Sequence, residues 1–315
     1  MENYNSLPPE NQNFISVVTT LTRHAQSIIS GSYEEVDQIF NLTNIAENPP
    51  EVVELAEVFG MMSVKVEARE FALEQTIDEL RSKKDELERA MYARKEFGRL
   101  FILFTLFIGI YNFIIAWVNR APFMQTHSNI ATPIIGMIFC IILTSLAIVV
   151  IKGSGLPLNC FGVTWKGSGR AIRESLTYTA VFIAVLVALK AWAIHYLPIM
   201  HGKSIFNLES VDTFFWAYLI IAPAQEFVTR GVLQSSIARL LYGRYSTAWA
   251  IVTTSVLFGV THTFYSLPLA LTSMAASLFW GWLYSRHGTL VGTSTSHFLV
   301  GNTLVLLDFW PYLAS

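Results

Sequence analysis

Residues 212–241 read DTFFWAYLIIAPAQEFVTRGVLQSSIARLL. The first half is an apolar run of the kind that enters a bilayer, yet Gln225, Glu226 and Arg230 then fall within six residues. A charge at the bilayer centre costs on the order of 3 kcal/mol, so an ionisable group there needs a partner or water. Glu226 and Arg230 stand at i and i+4, one helical turn apart, and can pair on one helix face. Such a pair inside an apolar helix belongs to a polytopic helical membrane protein and marks a polar site within it.

The rest of the chain agrees. Of its 315 residues, 53% are hydrophobic and only 14% charged. Residues 1–96 hold 18 of the 23 acidic and 9 of the 21 basic residues. That is an acidic, soluble front end followed by a membrane part with basic loops. Apolar stretches near the ~20 residues that span a bilayer occur at about 97–119, 130–151, 176–197, 212–241, 247–266, 268–285 and 289–312. The expected fold is therefore all-α, a helical membrane bundle of about seven spans with an N-terminal helical or coiled-coil region. The fourth span is overlong and interrupted by Pro223, and the short sixth could be partly re-entrant. Lys152, Lys166, Arg170, Arg173, Arg239, Arg244 and Arg286 flank the spans on one side, against Arg120 and Lys203 on the other. The basic excess makes the N-terminal region cytoplasmic. MENYNSLPPENQN lacks the basic and apolar regions of a signal peptide. Cys140 and Cys160 suggest neither a disulfide frame nor a metal knuckle, and no nucleic-acid partner is expected.

The front end divides again. Residues 1–13 are expected to be disordered, and 14–29 to form an amphipathic helix ending near Gly31. Beyond Pro49-Pro50, Val66, Leu73, Leu80 and Leu87 recur every seven residues, with Ile77, Lys84 and Met91 on the adjacent seam. The spacing predicts a helical hairpin or coiled coil, and with it a homodimer through the N-terminal helices. PPEVVELAEVFGMMSVKVEARE also resembles the second helix of a HAMP signalling module, which would occupy 14–70 as helix, connector and helix. An ordinary dimerising coiled coil is the other reading.

Two histidines join the Glu–Arg pair. His262 ends SVLFGVTH in the fifth apolar segment and His297 lies in TSTSHFLVGN in the seventh. Singly, each fits a structural role: an ion pair that fixes packing, or a satisfied core imidazole. Lys190 and His195 are read as snorkelling and Asp308 as interfacial. At ~1.5 Å per residue, Glu226, His262 and His297 all fall at hydrocarbon depth.

Taken in order, Gln225-Glu226-x-x-x-Arg230, Phe258-x-x-x-His262 and His297 followed by Asn302 resemble the motifs of the CAAX-protease and bacteriocin-processing family of intramembrane endopeptidases, which includes the type II CAAX prenyl endopeptidases. The similarity runs from about Leu156 to Asn302. It implies a protease core over 156–315, before which the charge division and the apolar runs set off a cytoplasmic helical region over 1–96 and two leading transmembrane helices over 97–155. In the family a first glutamate is proposed to activate water with the histidines, a second glutamate and the arginine support it, and an asparagine holds the oxyanion. Here the first glutamate position carries Gln225, and the last polar position falls on Gly301, with Asn302 one residue late. A glutamine hydrogen-bonds but takes no proton near neutral pH, which leaves Glu226 as the only carboxylate of the motif.

The implied catalytic set is thus Glu226, Arg230, His262, His297, Gln225 and Asn302, acting on a peptide segment in or at the membrane. Glu226, His262 and His297 also make up a zinc set, since three ligands plus water is the usual catalytic arrangement. Three readings stay open: an endopeptidase, with or without Zn2+; a degenerate relative that binds or signals through its cytoplasmic helices; and a transporter. Against the transporter, no inverted repeat is visible.

Overall fold

The computed structural model describes residues 9–33, 36–44, 48–118, 120 and 122–313, and for 9–13, 36 and 122–133 the backbone alone. Among the described residues every regular element is a helix. By contact they fall into two compact units, Met1–Arg89 and Ala90–Ser315.

In the first unit, α1 (Pro9–Ile29), the short α2 (Val36–Asn41) and the start of α3 (Pro50–Val118) build a small core. Val17, Leu21, Ile39, Val52 and Ala56 are buried together, with Leu42 and Phe59 against them. His24 sits edge-on to Phe59 and its Nε2 lies 3.2 Å from the Ser63 hydroxyl. The expectation of disorder over 1–13 is corrected in part. Residues 1–8 lie outside the described residues, but a helix already starts at Pro9, the ring's fixed φ suiting a first helical position.

The second unit holds the end of α3, then α4 (Pro122–Ser154), α5 (Ser168–Tyr196), α6 (Thr213–Glu226), α7 (Ser235–Leu240), α8 (Ser246–Val260), α9 (Leu267–His287), α10 (Leu290–Leu306) and α11 (Trp310–Leu313). One face of α3, formed by Phe97, Leu100, Phe104 and Ile108, packs with Leu143, Ala147 and Ile151 of α4. The opposite face exposes Ile102, Leu106, Ile110, Phe113 and Trp117. A helix apolar all round suits lipid on one side and protein on the other. The later helices form a bundle in which α10 touches α5, α6 and α9, while α8 packs along α9.

Pro50–Val118, Ile134–Ser154, Ser168–Tyr196 and Leu267–His287 are long and apolar enough to cross a membrane, and Ser246–Val260 is a shorter apolar helix. Two of the remaining segments are cut short. In 212–241 the helix continues through Pro223 but becomes a π-helix over Phe227–Gln234 before α7. The interruption therefore lies four residues beyond the proline expected to cause it. A π stretch inside an α-helix is rare and is frequent at functional sites. The expected span 247–266 ends at Val260, so that His262 lies in a turn beyond α8 rather than within a helix. α9 is an uninterrupted 21-residue helix capped by the Ser266 hydroxyl, which accepts from Leu269 N–H at 3.0 Å.

Lys190 is enclosed by protein, and its Nζ lies 5.4 Å from the Phe309 ring centroid, just beyond the end of α10.

The π segment is pressed against the 3-10 turn Leu158–Phe161. A Cβ on Gly231 would lie 2.7 Å from the Phe161 carbonyl oxygen, a backbone atom that cannot step aside. Gly231→Ala is expected to cost about 1–3 kcal/mol by overpacking, read as a lower thermal midpoint in detergent. Gly153→Ala, with nothing within 4 Å, is the control and should leave the midpoint unchanged or slightly raised.

Candidate active site

At the end of α6 the Glu226 carboxylate is wholly enclosed, as is the Arg230 guanidinium. Arg230 Nε donates to Glu226 Oε2 at 3.2 Å. Its other nitrogens reach Ser277 Oγ (2.5 Å) and Gln234 Oε1 (3.2 Å), and Gln234 in turn donates to the Gly281 carbonyl at 2.9 Å. The guanidinium has room because residue 281 has no side chain: a Cβ there would lie 3.1 Å from Nη1. Each nitrogen of the arginine fork is thus matched, as burial of a charge demands.

The second carboxylate oxygen, Glu226 Oε1, takes the Nδ1–H of His297 at 2.9 Å. With Nδ1 donating, the neutral imidazole presents Nε2 as an acceptor, and the Tyr218 hydroxyl donates to it at 2.8 Å. The imidazole is held on its faces as well. Trp280 stacks on it with centroids 3.8 Å apart at 22°, and Phe258 meets it edge-on at 5.7 Å. Trp280 is fixed by its own N–H, which donates to Ser296 Oγ at 3.2 Å. The result is a chain Arg230–Glu226–His297–Tyr218 across α6, its π extension and α10.

Tyr218 occupies its place because residue 301 is glycine. A Cβ on Gly301 would sit 2.4 Å from Tyr218 Cε1. The two departures from the family motif therefore have different characters. Gly301 is filled by a phenol from another helix, whereas Gln225 keeps a polar group at its own position.

His262 is oriented from behind. Its Nδ1 lies 2.8 Å from the Phe258 carbonyl, so Nδ1–H donates there and Nε2 carries the lone pair. Phe258 separates the two imidazoles, with its ring centroid 4.7 Å from that of His262.

These groups border one cavity of about 590 Å³. Gln225, His262, His297, Tyr218, Gly301 and Asn302 line it, and the rest of its wall is largely apolar. Glu226 and Arg230 are not among its lining residues. One residue along a helix turns a side chain by about 100°, and this turn sends Gln225 to the cavity and Glu226 into the packing behind it. Asn302 donates to the Phe215 carbonyl at 3.3 Å. The buried Gln225 Oε1 has no partner among the described residues. A buried amide oxygen without a partner, on a residue that borders the cavity, is a group that a water or a substrate N–H would satisfy.

The six expected catalytic residues are therefore split. Gln225, His262, His297 and Asn302 face the cavity; Glu226 and Arg230 support it from outside. The expected role of Glu226 as the group that meets water does not fit this placement, since both of its oxygens are engaged by Arg230 and His297. The expected zinc set does not fit either. Glu226 has no free oxygen, His297 has both ring nitrogens occupied, and only His262 Nε2 remains open to the cavity. Among the described residues no three His, Cys, Asp or Glu side chains are grouped to hold a metal. Tyr218, Trp280, Gln234 and Ser277 carry no signal in the sequence. They are ordinary residues of apolar helices, and only Gly281 and Gly301 hinted at large groups packed closely.

A protein-family model described as type II CAAX prenyl endopeptidase Rce1-like matches residues 207–302. The matched segment begins just before α6 and ends at Asn302, and so contains the whole chain of contacts above. No curated protein and no solved structure matches the chain.

Removing Arg230 strands the buried carboxylate. Arg230→Ala is expected to destabilise by about 3–5 kcal/mol, seen as loss of folded protein in detergent. Arg230→Lys should recover only part of this, because an ammonium cannot supply the fork. Gly301→Ala should likewise lower the thermal midpoint, and should lower it much less when introduced into Tyr218→Ala than into the unaltered chain.

Proposed function

With residues 207–302 matching a CAAX-type endopeptidase family, we propose that this protein is a membrane-embedded endopeptidase in which His262, rather than Glu226, takes the proton from the attacking water. The observation that carries this reading is the hydrogen bond from His262 Nδ1–H to the Phe258 carbonyl, which leaves Nε2 as a base at the cavity wall. A general base must have a lone pair within reach of water in the site. His262 has one, and Glu226 does not.

The other roles follow from position. Gln225 Oε1 accepts the second hydrogen of the water and holds it in place. Water adds to the carbonyl carbon as His262 Nε2 receives its proton. The negative oxygen of the tetrahedral intermediate is met by Asn302, whose amide nitrogen keeps a second N–H beside the one it gives to the Phe215 carbonyl. As the C–N bond breaks, the proton on His262 passes to the leaving nitrogen. The apolar wall suits a peptide segment at or in the membrane, and the helical first unit, read from the basic loops as cytoplasmic, is a regulatory region.

A second reading is a binding protein without turnover. It is favoured by one observation: the carboxylate of the motif is turned away from the cavity and Gln225 stands where a proton acceptor would act.

Purified protein incubated with a panel of membrane peptides, including ones with prenylated C-termini, separates the two. The endopeptidase reading expects cleavage by wild type, a loss of about 10²–10⁴-fold in rate in His262→Ala, and a smaller loss in Asn302→Ala. Wild-type silence with cleavage only by Gln225→Glu would establish the binding reading. Cleavage undiminished by His262→Ala would remove His262 from the mechanism.

A further inference from the structure

One heptad register runs along the first unit's part of α3. Val52, Phe59, Val66, Leu73, Leu80 and Leu87 recur every seven residues, and Ala56, Ser63, Glu70, Ile77 and Lys84 recur beside them. The first half of this stripe is covered by the chain itself. Val52 and Ala56 are buried with residues of α1 and α2 and Ser63 meets His24, whereas Glu70 is already exposed, its Oε2 accepting from the Tyr33 hydroxyl at 2.6 Å. From residue 73 onward the same stripe is bare: Leu80 and Leu87 are each 61% exposed. A seam whose first half is filled by helices and whose second half lies open in the same register calls for another helix there.

The charges beside the stripe say which helix and in which direction. With Val66, Leu73, Leu80 and Leu87 at d and Glu70, Ile77 and Lys84 at a, the flanking g positions are Arg69, Thr76 and Lys83, and the e positions Glu74, Arg81 and Glu88. In a parallel pair of identical helices in register, each g residue faces the partner's e residue five positions on. Arg69 then meets Glu74 and Lys83 meets Glu88, opposite charges in both cases. Antiparallel pairing sets g against g and e against e, which leaves the g-position cations Arg69 and Lys83 without an acidic partner across the seam. Within one chain Lys83 touches Glu79 at 2.5 Å and Lys84 approaches Glu88 at 3.8 Å. Such exposed pairs within a helix are worth only tenths of a kcal/mol, so they yield readily to pairs across a seam. Two copies inserted the same way in one membrane also run parallel.

We propose that this surface is a homodimer interface, a parallel in-register coiled coil over residues 73–87. Two heptads form a short seam, and confinement of both copies to one membrane supplies the effective concentration that it needs. Lys84 at an a position costs stability and fixes the register. The interface is independent of whether the cavity catalyses hydrolysis.

The test is oxidative cross-linking of the full chain in vesicles, with Cys140 and Cys160 changed to serine and one cysteine introduced at a time. Leu80→Cys should link to its own copy strongly and Ser82→Cys, on the outer face, weakly. Lys83→Glu should lower the Leu80→Cys yield several-fold, and adding Glu88→Lys should restore it. Equal yields at Leu80 and Ser82, or no yield at either, would overturn the proposal. Failure of the charge reversal to restore linking would overturn the parallel register. The detergent-corrected mass of the unmodified protein gives an independent reading: two chains are expected, and a monomer at all concentrations would sink the idea.

Discussion

The enclosed pair of Glu226 and Arg230 is the constraint on which the membrane unit depends. Neither charge is tolerable alone in this interior, and together they are tolerable only because the remaining hydrogen-bonding groups of both find partners. Arg230 uses Ser277 and Gln234, and Glu226 uses His297. These partners come from α9, the π segment and α10, so neutralising one ion pair fixes the mutual placement of three elements. The π stretch that follows Glu226 carries both Arg230 and Gln234, and Gly281 leaves the space into which the guanidinium extends. The ion pair is costly to bury and contributes little net stability of its own. Its role is to specify one arrangement of the helices.

The same pair sets the chemistry of the cavity at a distance. By holding His297 through Nδ1, the carboxylate decides that the opposite nitrogen accepts, and that nitrogen in turn orients the Tyr218 hydroxyl. The arrangement has the logic of a carboxylate–imidazole–hydroxyl chain, the first member buried and the last at the cavity wall. His262 belongs to a separate system, anchored to a backbone carbonyl in the turn after α8. The cavity is thus bordered by two imidazoles in different situations: one saturated on both nitrogens, the other with a nitrogen open.

Much of the fold was legible because a helix that is apolar on every side for the thickness of a bilayer must be covered all round, by lipid or by protein. The helical class and the membrane character followed from 53% hydrophobic content and the apolar runs. The ends of elements were less legible. The π stretch after Glu226 and the early end of α8 come from packing between helices, which local sequence does not encode. In the site, Gln225, Glu226, Arg230, His262 and His297 were found by motif order, and the pairing of Glu226 with Arg230 by helical spacing. What the sequence left open was direction. Adjacent residues 225 and 226 face opposite environments, and only the position of α10 decides which one meets the cavity. Tyr218 could not be found, since a tyrosine among aromatic and aliphatic residues carries no signal until the glycine beneath it is known.

The glycine at 301 has a consequence for how this site can change over generations. Tyr218 and residue 301 share one volume, so their substitutions are ordered in time. A lineage that places a side chain at 301 first meets the phenol ring, whereas one that first shortens residue 218 opens the space at no steric cost. The site therefore has a preferred path out of its present state and an obstructed one. The state itself, with a tyrosine at one position and a glycine at the other, persists as a linked pair that selection must keep or lose together.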